Sequence, residues 1–356
     1  MPAHPRPRRL AAALAAVALA IAACGSSSPS GASTPSIAPS AAASPSAAAT
    51  PGPSAGMTAL TVGLGYIPSV QFAQYYLAQE GGYYAAAGLT VKLQNEVDPN
   101  LITKVGQGAL DIGEGDGTSV IPAVSQGIPV VYTATVSGTF PDIVIAKAGS
   151  GISTPADLKG KKIGIPGRYG SSWIMLLALL KSAGLTTSDV SIVEFPDYGQ
   201  AAALQQGAVD AATGFINNEP IQLQNAGIDT VALSVDSIVP LPGPGLVTGT
   251  ATLKAKHDAL AAFTKATLQA MSDIAADPQK GLDATYALEP DLAQDKPLQA
   301  QILAATITTW KNARTGAPYG AIDTAGWQQS LDFMTGLGLV PNPVQASQLT
   351  DSSLLP

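Results

Sequence analysis

From residue 57 onward, short apolar or alternating runs take turns with longer runs whose apolar residues recur every three or four positions. The first pattern suits strands and the second suits helices that bury one face. Leu60–Leu64 reads as a strand, Gly65–Ser69 as a loop, and Val70–Gln79 as a helix closed near Gly81-Gly82. Leu89–Leu93 alternates like a strand, and Asn100–Val105 is helical. Ala109–Ile112 is expected as a short strand before a glycine-rich loop, Gly113–Gly117. Ser119–Gln126 is a helix stopped by Gly127, and Ile128–Val136 is a strand rich in β-branched residues. Such alternation predicts α/β layers around a largely parallel sheet.

A second run repeats the plan. Lys162–Ile165, Val190–Phe195, Ala208–Thr213 and Thr230–Val235 read as strands. A helix is expected from Ser171 or Ser172, as N-cap, through Ser182 to a C-terminal Gly184, with others at Gln200–Gln206 and Glu219–Asn225. Gln107-Gly-Ala-Leu-Asp-Ile112 recurs as Gln206-Gly-Ala-Val-Asp-Ala211, and Gly127-Ile128 as Gly227-Ile228. This spacing exceeds the ~20–50 residues of a solenoid period and suggests two lobes of one design. Beyond Leu253 the pattern is helical, at about 258–275, 278–287, 297–311 and 325–337.

The first 56 residues differ. Arg6, Arg8 and Arg9 precede the apolar run Leu10–Ile21, which has the length of a signal-peptide core and falls short of the ~20 residues of a spanning helix. The run ends in Ile21-Ala-Ala-Cys24-Gly, which resembles a bacterial lipobox and makes Cys24 the expected lipidated N-terminus; the alternative is an ordinary cleavage site. Residues 25–56 are Gly, Ser, Pro, Ala and Thr apart from Ile37, a composition expected of a flexible tether. The expected product is extracytoplasmic, anchored by lipid to the outer face of the cell membrane.

Composition narrows the chemistry. Hydrophobic residues make up 46% of the chain and charged ones 12%, with a formal net charge of −7, which disfavours nucleic acid as a partner. The single Cys24 and the two histidines, His4 and His257, exclude a disulfide framework, a Cys/His zinc site and catalysis by several histidines. No nucleophile elbow, Walker A or His-Glu-x-x-His pattern occurs. No cofactor and no metal are expected. Loops at the carboxyl ends of strands are instead dressed with polar and aromatic groups: Tyr66 with Gln71; Glu114, Asp116, Gly117 and Thr118; Arg168, Tyr169, Gly170, Ser171 and Ser172; Asn217, Asn218 and Glu219. In open α/β sheets ligands settle at such loops. For each residue alone, helix capping is the simpler role; all four loops together point to a cleft. Glu219 or Asp116 would accept hydrogen bonds from ring N–H or amino groups, and Tyr66, Tyr169, Trp173 or Phe215 would stack on a flat ring. Arg168 is the group that an anion would seek.

Four stretches carry a resemblance: Gly65-Tyr-Ile-Pro-Ser-Val-Gln-Phe72, Ala109-Leu-Asp-Ile-Gly113, Asp157-Leu-Lys-Gly-Lys-Lys-Ile-Gly-Ile-Pro166 and Gly214-Phe-Ile-Asn-Asn-Glu-Pro220. Residues 57–356 resemble the solute-binding lipoproteins of ABC importers, in the type II periplasmic-binding branch that covers nitrate, sulfonates, taurine, thiamine-precursor pyrimidines and riboflavin. The resemblance implies a bilobal α/β fold, two parallel-rich sheets joined by a two-strand hinge. Lobe 1 is expected at 57–146 and 247–356, lobe 2 at 147–246, with crossing strands near Asp142–Lys147 and Leu246–Thr250. It implies a monomer that delivers a small molecule, a heteroaromatic vitamin or precursor ahead of an anion, to a membrane permease. A pyrimidine-synthesis enzyme shares the fold but needs His and Cys chemistry that this chain lacks.

Overall fold

The computed structural model describes residues 56–96, 100–312 and 314–356. The signal peptide, Cys24 and the Ala/Ser/Pro segment expected from sequence lie outside the described residues. In chain order the strands are β1 (Thr58–Leu64), β2 (Leu89–Asn95), β3 (Ile112–Asp116), β4 (Val130–Thr135), β5 (Asp142–Lys147), β6 (Lys162–Ile165), β7 (Ser191–Glu194), β8 (Ala211–Phe215), β9 (Thr230–Ser234) and β10 (Pro244–Gly249). They form two sheets with one topology, β2-β1-β3-β10-β4 and β7-β6-β8-β5-β9.

Both sheets are mixed. The first three strands of each pair in parallel, while β10 and β5 run antiparallel to both neighbours. The reason lies in the chain path, because β5 and β10 each enter their sheet from the other half of the fold. The expected hinge is therefore corrected. Asp142–Lys147 is an internal strand of the second sheet and Leu246–Gly249 belongs to one of the first, so the chain passes between the sheets at residues 136–141 and 235–243.

The internal echo has a structural cause. Asp111 Oδ2 accepts the Thr61 amide at 2.8 Å, and Asp210 Oδ2 accepts the Lys162 amide at 2.8 Å. Each aspartate thus ties the entry of β3 or β8 to the adjacent strand. Gly108 and Gly207, with φ of 74° and 75°, make the left-handed turns that end the preceding helices. These segments are turns, so the strands begin later than expected, at Ile112 and Ala211. β3 accordingly runs through the glycine-rich segment. Missing side chains at Gly113 and Gly115 let Leu101 and Ile102 of the helix Asn100–Gly106 lie close on the sheet.

Apolar packing links the elements. One buried cluster joins Val120, Ile121 and Tyr132 beside the first sheet to Ile163, Leu176 and Leu179 beside the second, and includes Trp327 and Leu331 of the helix Thr324–Thr335. Another packs Tyr75, Tyr84 and Leu60 against Phe263 and Met271 of the helix His257–Ala276.

Candidate functional site

The loops that follow β1, β3, β6, β7 and β8 open on a common cleft with a cavity of about 110 Å³. Its aromatic lining is Tyr66, Phe72, Tyr169, Tyr198, Phe215 and Trp310. Tyr66 from the first half of the fold meets Tyr198 from the second edge-on, with ring centroids 4.9 Å apart and planes at 87°. Tyr198 is the one non-glycine residue with positive φ among the described residues, at 60°. A bulky side chain in that conformation signals strain held in place by its surroundings.

Three carboxylates reach the same cleft. Glu114 lies in the middle of β3, where Gln74 Nε2 donates to its Oε2 at 3.1 Å. Asp116 Oδ2 accepts the Ser171 backbone amide from across the cleft at 3.3 Å. Glu219, at the start of the helix Glu219–Asn225, accepts the Phe215 amide at 2.7 Å. Burial pushes the Glu114 and Glu219 carboxyls up to about 7 and also raises Asp116. Behind them Asp142 is fully buried, and its Oδ1 accepts the Ser171 and Ser172 hydroxyls at 3.0 and 2.8 Å. Desolvation, then the charge of Asp116, raises it well above the usual range. Among the described residues that line the cleft there is no Lys, Arg or His. Such a wall suits a ligand that brings hydrogen-bond donors and repels a bare anion.

Amides complete the lining. Asn217 Nδ2 donates to Gln71 Oε1 and to Thr306 Oγ1, each at 2.9 Å, and so spans the two halves. Gln200 Nε2 donates to the Thr213 carbonyl at 3.3 Å. Burial, then the Glu219 charge, raises the Tyr66 hydroxyl, against a hydrogen bond from Asn218.

The structure brings Tyr66, Gln71, Asp116, Tyr169, Gly170, Ser171, Ser172, Asn217, Asn218 and Glu219 into the lining. Gly117 and Thr118 are outside it, buried in the first turn of the helix Gly117–Ser125. Arg168 is outside it as well: its Nε pairs with Glu194 at 3.0 Å on the exposed surface, and its guanidinium lies 5.6 Å from the Trp173 ring. Arg168 is thus spent on neighbours, and Trp173 packs outside the cleft. Neither Ser171 nor Ser172 caps its helix, because the cap position is Tyr169 and both hydroxyls turn to Asp142. Sequence reasoning missed Tyr198, Gln200, Thr306 and Trp310. Tyr198 had a signal, since it sits in the loop after β7 as the other residues sit in theirs; Thr306 and Trp310 come from a distant helix and had none.

Comparison with known proteins shows the family and the fold. The NMT1/THI5-like family matches residues 69–281. The riboflavin-binding protein RibY of Chloroflexus aurantiacus is 32% identical over 303 residues, 83% of this chain and 86% of that protein. The formylaminopyrimidine-binding protein of Halalkalibacterium halodurans is 27% identical over 307 residues, 83% and 91% of the two chains. In structure, the periplasmic aliphatic sulphonate binding protein SsuA of Escherichia coli superposes with a TM-score of 0.65 at 18% identity, over 82% of this chain and 97% of that one, a likeness of fold. With the match covering more than half of its length and a 32% identical relative aligned along most of it, the chain belongs to the NMT1/THI5-like family.

Proposed function

We propose that the chain is the extracytoplasmic solute-binding component of an ABC importer, and that its cleft captures a flat heteroaromatic molecule of the aminopyrimidine or flavin type without altering it. One observation carries the ligand class: the cleft combines aromatic rings with buried carboxylates and amide oxygens and has no cationic side chain among its described lining residues. A nitrate or sulfonate would face Glu114, Asp116 and Glu219 with no counter-charge. A ring N–H or exocyclic amino group gives those carboxylates the donors that burial withdraws. The names of the riboflavin- and formylaminopyrimidine-binding relatives support the same class. Binding without turnover is supported by the placement of His257 on the surface beside Asp258, away from the cleft. Anchoring through a lipid on Cys24 and delivery to a permease complete the reading.

Thermal denaturation with riboflavin, 4-amino-5-hydroxymethyl-2-methylpyrimidine, its N-formylaminomethyl relative, taurine, an alkanesulfonate and nitrate tests it. A cognate ligand at about 100 times its Kd adds roughly 2.7 kcal/mol of stability. Stabilisation by a heterocycle and by none of the anions is expected. Stabilisation by an anion alone, or conversion of any compound to a product, refutes the proposal.

A further inference from the structure

Asn217 holds a position that capping does not explain. Its side chain is 4% exposed and lines the cleft from the loop between β8 and the helix Glu219–Asn225. Both of its side-chain hydrogen bonds leave the amide nitrogen for the other half of the fold, to Gln71 Oε1 and Thr306 Oγ1. Chemistry fixes this orientation. The Thr306 hydroxyl donates its proton to the Ile302 carbonyl at 2.8 Å, so toward Asn217 it acts as acceptor and must meet the NH₂ group. Gln71 is held likewise, its Nε2 donating to Ser69 Oγ at 3.1 Å, which leaves Oε1 for Asn217. Asn217 Oδ1 is then a buried acceptor with no hydrogen-bond partner among the described residues. Gln200 Oε1, from the helix Gln200–Gln206 of the same half, is another among the lining residues. A buried amide oxygen without a donor is costly, and such groups in native proteins are normally satisfied.

We infer that Asn217 couples closure of the cleft to recognition of the ligand: its NH₂ group latches the second half of the fold to Gln71 and Thr306 of the first, and the same amide thereby presents Oδ1 to a hydrogen-bond donor on the bound ring. This deepens the proposed heteroaromatic reading and rests on it. The coupling is geometric. Opening the cleft breaks both nitrogen bonds and frees the amide to rotate, so the acceptor is aimed only when the halves meet. A ring that lacks the donor leaves Oδ1 unsatisfied in the closed state, and closure is then disfavoured. Specificity and closure thus share one side chain.

The test is a cycle of protein variants against paired probes. Riboflavin and 4-amino-2-methylpyrimidine are compared with their analogues methylated at the ring N–H or at the amino group. The variants are Asn217→Ala, which removes latch and acceptor together, and Thr306→Val and Gln71→Ala, which each remove a latch partner and leave Oδ1 in place. Asn217→Ala should lose about 10- to 100-fold in affinity for the parent probe and discriminate at least 5-fold less against the methylated one. Thr306→Val and Gln71→Ala should release the parent probe several-fold faster and keep the wild-type discrimination. Small-angle scattering of the ligand-free protein should show a larger radius of gyration for Asn217→Ala than for wild type. If the wild type binds a parent probe and Asn217→Ala keeps both its affinity and its discrimination, the inference falls while the heteroaromatic reading stands. Failure of the wild type to bind either parent probe removes that reading, and the inference with it.

Discussion

At the scale of single residues, the cleft concentrates groups that fold at a cost. Tyr198 adopts φ of 60°, a conformation that costs an L-residue roughly 1–2 kcal/mol and glycine little. Its ring packs on Tyr66, a contact of about 0.5–1.5 kcal/mol. Tyr198→Gly and Tyr198→Ala lose the same ring, but only glycine relieves the backbone. The glycine variant should therefore be more stable than the alanine variant by about 1 kcal/mol in chemical denaturation, and equal stabilities would show that the backbone there is unstrained. Glu114 and Glu219 are costly in another way. With carboxyls raised by burial from 4.5 to about 7, the folded protein keeps protons that the unfolded chain has already released. The stability tied to their neutral forms is complete below about 4.5 and is lost as pH rises through 7, on the order of 3 kcal/mol for each group. The lowered carboxyls of Asp157 and Asp189 act below their ordinary 3.8 and leave this window unaffected. The ligand-free protein should thus melt lower at pH 8 than at pH 5.5, and Glu219→Gln should flatten the slope. A melting temperature that is constant or rises over that interval would contradict the burial of these charges.

At the scale of elements, much of the fold was legible because strands and helices differ so plainly in period. The ends of elements were less so. Gln107–Ile112 and Gln206–Ala211 stood out as an echo, yet Ala109–Ile112 and Ala208–Thr213 read as strands, since Ala-Leu and Ala-Val are apolar and the role of the following aspartate depends on an amide some fifty residues away. The glycine-rich Gly113–Gly117 read as a loop because no local pattern reports that Leu101 will lie against it. For the site, loop position found most of the lining, and it failed where a partner in space decides. Arg168 looked available until Glu194 was beside it, and Thr306 looked like an ordinary helical residue until Asn217 reached it. The same dependence on distant partners governs Gly245 in β10, where strand register shifts one residue later. A Cβ there would strike the Tyr132 ring and the Ala134 carbonyl. Tyr132 is fully buried, with its hydroxyl donating to the Gly243 carbonyl at 3.2 Å, so it has little room to move. Gly245→Ala should cost at least about 2 kcal/mol through overpacking, a fall of roughly 5 °C in Tm for a domain of this size. An unchanged Tm would mean that β10 and β4 are less closely packed than described.

At the scale of the whole molecule, two sheets of one topology present their carboxyl ends to each other, and the residues that meet between them belong to opposite halves: Asp116 with Ser171, Tyr66 with Tyr198, Asn217 with Gln71 and Thr306. Such an arrangement suits capture by closure about the two crossing segments. Anchoring should be separable from capture, because residues 25–56 lie between Cys24 and the first strand. Cys24→Ser should leave the membrane fraction or stay unprocessed while binding ligand with wild-type affinity; a correctly processed variant in the same fraction would refute lipidation at Cys24. The central claim is that buried carboxylates in an aromatic cleft select a donor-bearing ring over an anion. Calorimetric titration of wild type and Glu219→Gln at pH 8, above the raised Glu219 carboxyl so that it is ionised, with riboflavin or the aminopyrimidine and with an alkanesulfonate, tests it most directly. The account predicts that the heterocycle binds wild type and loses about 10- to 150-fold in affinity on the substitution, as expected for a charge-assisted hydrogen bond of ~1.5–3 kcal/mol, while the sulfonate gives no heat. Sulfonate binding to wild type, unchanged or strengthened in Glu219→Gln, would contradict it.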